Sequence, residues 1–456
     1  MDFGAAQTRV TPGQHRETLR VLVVAYVFPP IAYAGSYRTL RLCKYLARAG
    51  HDVSVITIEM QKDIDNDPQL LDTVDKSIPV FRTKTLDFWR WYRRIRPRLL
   101  ASPAHKAIAL LLGKLAVALN IPDHMWLWAP FAVSRGYRLM RRKAIQTVYT
   151  TSPPHSEHLI GYFLKRRTGA RWVADLRDPI LDNQAAGNWG PVERAINTRL
   201  ERLILRHADA VITNTKYAAA RLRERYAHPR IYTVYNSFDT DDFAGLSGDK
   251  RDRFTLAHVG SLYGLRKADP VLDALKILHE RGVITPPTFR LLFVGLDDAQ
   301  TAKAVRERGL DSYVEIRSFV PHREALRIMA GSHLLLLIKG TGPGTSSQIP
   351  GKLFEYLGTG NRILYTGPRD SEVTDILEHA SAGVGVDGDA LALADAIAQE
   401  ITTSRNLAAP SAAARRDALA QYSSVAMAQQ IADIIKATDS TGRFVQYAAQ
   451  SAGGRA

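Results

Sequence analysis

Cysteine is nearly absent from this chain: Cys43 is the only one in 456 residues. That excludes an intramolecular disulfide and any cysteine-based metal site, and it fits a reducing cytoplasm. Long apolar runs are missing too. The best candidate, residues 107–119, is short and carries Lys114, so no transmembrane helix is expected and any membrane role would be peripheral. Residues 1–20 are polar and the apolar run that follows, 21–27, is only strand-length, which reads as no secretory leader. Acidic residues are scarce in one place: residues 82–143 hold two, against fourteen lysines and arginines.

What is present is ordinary for a soluble globular protein, with 46% hydrophobic and 23% charged residues. The length exceeds one hydrophobic core, so two domains are expected. The net charge of +16 is unevenly spread, and the 82–143 segment alone carries a surplus of twelve. Its core is Phe88-Trp89-Arg90-Trp91-Tyr92-Arg93-Arg94-Ile95-Arg96-Pro97-Arg98. Aromatics mixed with arginines, followed by a nearly uncharged apolar helix, fit an anionic membrane face. A solvated basic helix and a nucleic-acid patch are the other readings, but no recognised nucleic-acid motif accompanies the charge.

Two series of strands alternate with helices. The first has strands near 21–26, 51–57, 147–150, 172–175, 210–213 and 231–235, with helices near 36–49, 155–167 and 191–206. The second has strands near 254–259, 289–294, 313–316, 333–338, 363–365 and 383–386, with helices near 270–280, 299–308 and 323–330. This alternation predicts an α/β protein of two doubly wound parallel sheets with ligands in a cleft between them. The expected division is a mobile tail (1–18), a Rossmann-like N-terminal domain (19–240) with the basic insert 82–143, a C-terminal domain (241–422), a closing helix (423–437) and a second tail (438–456). Residues 237–253 read as the linker, and 412–421 as a further helix.

Residues 344–360, GTSSQIPGKLFEYLGTG, are the most informative stretch. Small residues from Gly344 through Thr345 and Ser346 to Ser347 lead into a helix opened by Pro350 and Gly351. Free backbone N–H groups at such a positive dipole end suit phosphate. Lys352 and Glu355 share one face of the helix. A carboxylate one turn in can accept from sugar hydroxyls, so the constellation points to a nucleotide-sugar site.

From about Val21 to about Ala437 the chain resembles retaining glycosyltransferases of the GT-B fold, in particular glycosyltransferase family 4. The resemblance rests on an ordered set: Tyr26-Val-Phe-Pro-Pro30 with Gly35-Ser36-Tyr37-Arg38; Thr150-Thr-Ser-Pro-Pro-His155 with Ala174-Asp-Leu-Arg-Asp-Pro179; Tyr235-Asn-Ser-Phe-Asp239; His258-Val-Gly-Ser-Leu-Tyr-Gly-Leu-Arg266; and Lys352-Leu-Phe-Glu355. It implies two Rossmann-like domains facing each other, the N-terminal one on the acceptor side and the C-terminal one binding the donor. The family often carries two glutamates eight positions apart here. Glu355 fits the second, but the first position is Ser347, which leaves the sugar open.

Transfer from a nucleotide sugar needs stabilisation of the departing diphosphate and an acceptor hydroxyl held close to the anomeric carbon. Arg266, after the Gly260–Gly264 turn, is the expected diphosphate partner, since a cation at a helix start calls for an anion; a surface arginine is the bland alternative. Gly260, Ser261 and Lys352 are further donor candidates, with Glu355 on the ribose. Gly35 would let backbone approach the diphosphate from across the cleft, or is an ordinary turn glycine. The resemblance puts His155 toward the sugar or acceptor. Asp175 and Asp178 flank Arg177, and either orient the acceptor or act as base, or form an internal ion pair. Val320 is a candidate for base recognition. No metal and no cofactor beyond the NDP-sugar donor are expected.

The expectation is a cytoplasmic, membrane-peripheral retaining glycosyltransferase of the inner face. It would move a hexose or N-acetylhexosamine to a lipid-linked oligosaccharide or surface polysaccharide. A nucleotide-sugar epimerase of the same architecture would instead turn over donor without acceptor. A non-catalytic sugar-nucleotide binder would bind it without turnover.

Overall fold

The computed structural model describes residues 18–31, 34–60, 67–101, 105–118, 120–182, 189–226, 230–246, 252–262, 266–296, 299–340, 348–406 and 418–438. The first domain runs β1 (Arg20–Val24), α1 (Ala34–Arg48), β2 (Asp52–Ile58), α2 (Gln69–Asp72), β3 (Val80–Thr83), α3 (Phe88–Leu100), α4 (Lys106–Ala118), α5 (Ala129–Lys143), β4 (Thr147–Thr151), α6 (Glu157–Thr168), β5 (Arg171–Arg177), α7 (Pro191–His207), β6 (Ala210–Thr213), α8 (Lys216–Tyr226) and β7 (Ile231–Thr233). The second runs β8 (Phe254–Val259), α9 (Asp269–Glu280), β9 (Phe289–Val294), α10 (Ala299–Glu307), β10 (Val314–Arg317), α11 (His322–Ala330), β11 (Leu334–Ile338), α12 (Lys352–Thr359), β12 (Arg362–Thr366), α13 (Glu372–His379), β13 (Gly383–Val386) and α14 (Ala390–Asn406). The last helix is α15 (Ser424–Ala437).

All strands but β3 are read from the sequence, because most are solid apolar runs. Val21–Val24 and Leu334–Ile338 are buried along their whole length, as in a parallel sheet covered by helices on both faces. The sheet orders are β3-β2-β1-β4-β5-β6-β7 and β10-β9-β8-β11-β12-β13, and every pairing is parallel. Strand order therefore reverses between β1 and β4 in one sheet and between β8 and β11 in the other. At each reversal the loops leave in opposite directions and open a crevice at the carboxyl ends.

The sequence reading missed β3, α2, α5, α8, α13 and α14. It also treated 237–253 as a linker, whereas Phe238 and Asp239 are buried. Asp239 accepts from Tyr45 Oη at 2.5 Å and Lys44 Nζ at 2.7 Å, so the crossing strap is pinned to α1. Residues 1–17, 411–417 and 439–456, which cover the two tails and most of the helix read at 412–421, lie outside the described residues.

The chain crosses between domains twice, side by side. Phe238 N donates to Tyr422 O at 3.1 Å, and Ser424 N donates to Phe238 O at 2.7 Å. The Ser423 side chain then caps α15 by accepting from Ala426 N. Met427, Ala428, Ile431, Ala432 and Ile435 of α15 pack with Leu42, Cys43 and Leu46 of α1 in the N-terminal core. Burying Ile431 and Ile435 contributes about 1.5–3 kcal/mol each.

The basic segment divides in two. Helix α5 is a core element, with Ala132, Val133 and Met140 buried. The α3–α4 hairpin is the protruding part: Asp87 caps α3 by accepting from Arg90 N, and buried Tyr92 donates to Ala109 O at 3.0 Å, tying the two helices. Residues 88–118 carry seven basic and no acidic side chains, so the hairpin is cationic throughout. Among the described residues no helix is long and apolar enough to cross a membrane.

Candidate active site

Most of the residues singled out in the sequence fall on the loops or first helical turns that follow the strands at the two reversals. Gly35 follows β1, His155 follows β4, Gly260, Ser261 and Arg266 follow β8, and Lys352 and Glu355 follow β11. Asp178 follows β5 and Val320 follows β10, one and two strands away from a reversal. Gly344, Thr345, Ser346 and Ser347 lie outside the described residues.

On the C-terminal side, Lys352 is the hub. Its side chain lies against Gly260, whose φ of +142° and missing Cβ leave room for it. Burial lowers the Lys352 ammonium's proton affinity; Glu355 raises it and Arg266 lowers it again. Arg266 and Glu355 thus both act electrostatically on Lys352, in opposite senses. Burial works against the Glu355 carboxylate, yet His322, Arg41 and Lys352 together hold it below the usual range. His322 Nε2 lies 3.0 Å from Glu355 Oε1. The His322 ring also meets Tyr37 of α1, with centroids 5.1 Å apart. Tyr37 and Arg41 therefore bring the start of the N-terminal domain to α12.

Lys339, one residue beyond β11, escaped the sequence reading. It is 7% exposed, and its Nζ is buried with no hydrogen-bond partner. Burial, helped by Arg266 and opposed by Glu372, pushes its ammonium down to about 8. Arg266 thus acts on both Lys339 and Lys352 across the β8–β11 reversal, lowering each ammonium. Like charges disfavour one another unless an anion sits among them.

The N-terminal residues sort differently. Asp175 is structural: it is fully buried, accepts from Arg38 Nε at 2.8 Å and from Tyr149 Oη at 2.5 Å, and lies below the range burial alone would give because Arg38 and Arg177 face it. Arg38 also donates to the Tyr235 and Val234 carbonyls, so it ties α1 to the end of the sheet. Asp178 is separate from that pair. It lines a small pocket with Pro179, Asp182, Tyr217, Ala218 and, from the other domain, Gln348. Burial raises its carboxyl, against Arg177 and Asn214.

Gly35 is not an open loop glycine. It sits in the first turn of α1 beneath the Arg177 guanidinium, which donates to its carbonyl at 3.1 Å; a Cβ there would stand 2.9 Å from Nη1. Arg177 itself holds a left-handed backbone, φ +57°, uncommon for a non-glycine residue. His155 precedes α6 instead of opening it. Burial lowers it, Asp123 raises it, and its buried Nδ1 lacks a hydrogen-bond partner. Asp123 sets that turn by accepting from Ser156 N at 2.8 Å and Ser156 Oγ at 2.6 Å. Val320 packs half-buried against the C-terminal core beside α11. Among the described residues no group of three or more His, Cys, Asp or Glu is placed to hold a metal ion.

Residues 35–237 match the family model described as glycosyl transferase 4-like domain. No curated protein matches the chain in sequence. Solved structures share its fold across almost their whole length. A glycosyltransferase from Rickettsia africae is 14% identical, covers 92% of this chain and 99% of its own, and gives a TM-score of 0.58. Sucrose-phosphate synthase from Thermosynechococcus elongatus gives 0.60 at 14% identity, with 92% and 98% covered. A variant of S. aureus TarM, solved with fondaparinux, α-GlcNAc-glycerol and UDP, gives 0.57 at 10% identity, with 92% and 100% covered. Residues 35–237 are thus similar to the glycosyl transferase 4-like domain, and the chain as a whole shares the two-domain GT-B fold of these solved structures.

Proposed function

We propose that the protein is a metal-independent retaining glycosyltransferase. It moves a hexose or N-acetylhexosamine from an NDP-sugar to a lipid-linked oligosaccharide or surface polysaccharide, at the cytoplasmic face of a membrane. The observation that carries this reading is the half-buried Lys352 packed on Gly260, in the fields of Arg266 and Glu355. Arg266 and Lys352 neutralise the diphosphate as its bond to the sugar breaks, the step at which negative charge grows. Glu355, kept ionised by its neighbours, accepts from the ribose hydroxyls. Ser261 and the 344–347 loop complete the donor contacts, with Val320 near the base. Gly35 contributes through Arg177, which it lets pass.

Across the cleft, His155 and Asp178 face the acceptor. His155 is kept uncharged by burial, and Asp178 lines the pocket that Gln348 closes. Either can take the acceptor proton, with the departing phosphate assisting. The α3–α4 hairpin supports the membrane part. Trp91, Leu110, Leu111 and Leu115 are exposed on a cationic pair of helices, which suits an anionic lipid surface.

The test is sugar transfer to a membrane lipid extract, using a panel of NDP-sugars chosen by thermal shift. Arg266→Ala and Glu355→Ala should each abolish transfer while leaving the fold intact. Full activity in either variant would remove the site, and donor turnover without acceptor would favour an epimerase.

A further inference from the structure

We propose that Lys339 is a third diphosphate-binding cation of this site. It takes a phosphate oxygen on its buried ammonium while Arg266 and Lys352 take others. The inference rests on the donor-site reading above and extends it to a residue no motif marks. Three observations carry it. The Lys339 Nζ is buried without a hydrogen-bond partner, and a buried ammonium left so is costly. The residue leaves β11 at the sheet reversal, one strand from Gly260, where the crevice opens. Its electrostatic neighbours are Arg266, of like sign, and Glu372 of α13.

Glu372 does not serve as its partner, because that carboxylate is already engaged. It accepts from Lys216 N at 2.9 Å and Tyr217 N at 2.6 Å at the start of α8, and from Tyr235 Oη at 3.0 Å. Lys339 is thus a donor with three hydrogens and no acceptor, next to a second cation. An oxyanion there satisfies the ammonium and is favoured by the charge of Arg266.

A consequence follows for protons. With its ammonium lowered to about 8 by burial and Arg266, Lys339 is partly neutral in mildly alkaline solution. An anion bound beside it raises that value, so binding near pH 8 draws in a fraction of a proton. Below about pH 7 the lysine is already charged and the uptake vanishes.

The experiment is isothermal titration of the full chain with inorganic pyrophosphate, a probe independent of the base, at pH 8 and pH 6.5. Two buffers of different ionisation enthalpy separate proton uptake from binding heat. Measured against Lys339→Met, which shares any protons that pyrophosphate itself exchanges, wild type should take up additional protons at pH 8 and no additional ones at pH 6.5. Lys339→Met should bind about 10- to 100-fold more weakly, the range for losing a hydrogen bond to a charged group, and show only the proton exchange that pyrophosphate itself brings. Lys339→Arg should recover most of the affinity without the uptake, which controls for folding. If Lys339→Met binds like wild type with the uptake unchanged, the assignment of Lys339 is wrong and the donor site stands. If wild type binds neither pyrophosphate nor any nucleoside diphosphate, both readings fall.

Discussion

Replacing Gly260 by alanine tests the centre of the site with one methyl group. At φ +142° an L-residue is strained by about 1–3 kcal/mol. The added Cβ would also overlap the Lys352 side chain, standing 2.7 Å from Nζ. The colliding atoms are the far end of a flexible chain, so the lysine swings away and the fold survives. Two effects follow, each with its own assay. The strain should lower Tm by about 2–12 °C, taking 2–4 °C per kcal/mol for a lobe of this size. Displacing the cation should weaken pyrophosphate or nucleoside diphosphate binding by about 10- to 100-fold. Lys352→Ala separates the two, because it removes the cation without straining the backbone. In the double variant the alanine meets no lysine, so its affinity should match that of Lys352→Ala while part of the Tm loss remains. A Gly260→Ala protein with wild-type affinity would refute the packing of Lys352 on this turn.

Neutralising Arg90, Arg93, Arg94, Arg96 and Arg98 together should release the protein from anionic liposomes in a flotation assay; undiminished binding would remove the hairpin from the membrane argument. Arg38→Met leaves the Asp175 carboxylate buried without its partner and should cost about 3–5 kcal/mol in urea denaturation. A loss under about 1 kcal/mol would contradict that burial. His158 is lowered to about 3, first by burial, and stays neutral in the fold, whereas the unfolded chain's histidine protonates near its ordinary 6.5. Its contribution is therefore intact above about pH 6.5 and declines toward pH 3, by at most about 1.4 kcal/mol per pH unit. His158→Asn should flatten Tm against pH across that window, and an unchanged slope would count against the burial.

The parts legible in the sequence were those written in local pattern. Apolar runs such as Leu334–Ile338 announce buried parallel strands, and Gly260 and Glu355 stood out inside ordered motifs. Contacts between distant positions were not legible. Arg38 and Asp175 lie 137 residues apart and Tyr37 and His322 farther, and no local rule pairs them. Lys339 looked like any lysine ending a strand, since only the sheet order reveals that the strand ends at a reversal. Four-residue β3 was hidden because it is an edge strand, half-buried at three of its positions. Alanine-rich α14 and α8 show too weak an apolar stripe to mark helices on the 3.6 period.

The return of α15 to the N-terminal domain has a consequence for biogenesis. On the ribosome the first lobe emerges complete in strands but lacking one wall of its core, because the missing wall is encoded some two hundred residues later. Until then the faces of Leu42, Cys43 and Leu46 that α15 covers stay open to solvent or to a chaperone. The C-terminal lobe is synthesised in the interval. The last helix can seat only after both lobes exist, so an early stop codon before Ser424 would compromise the lobe at the opposite end of the chain.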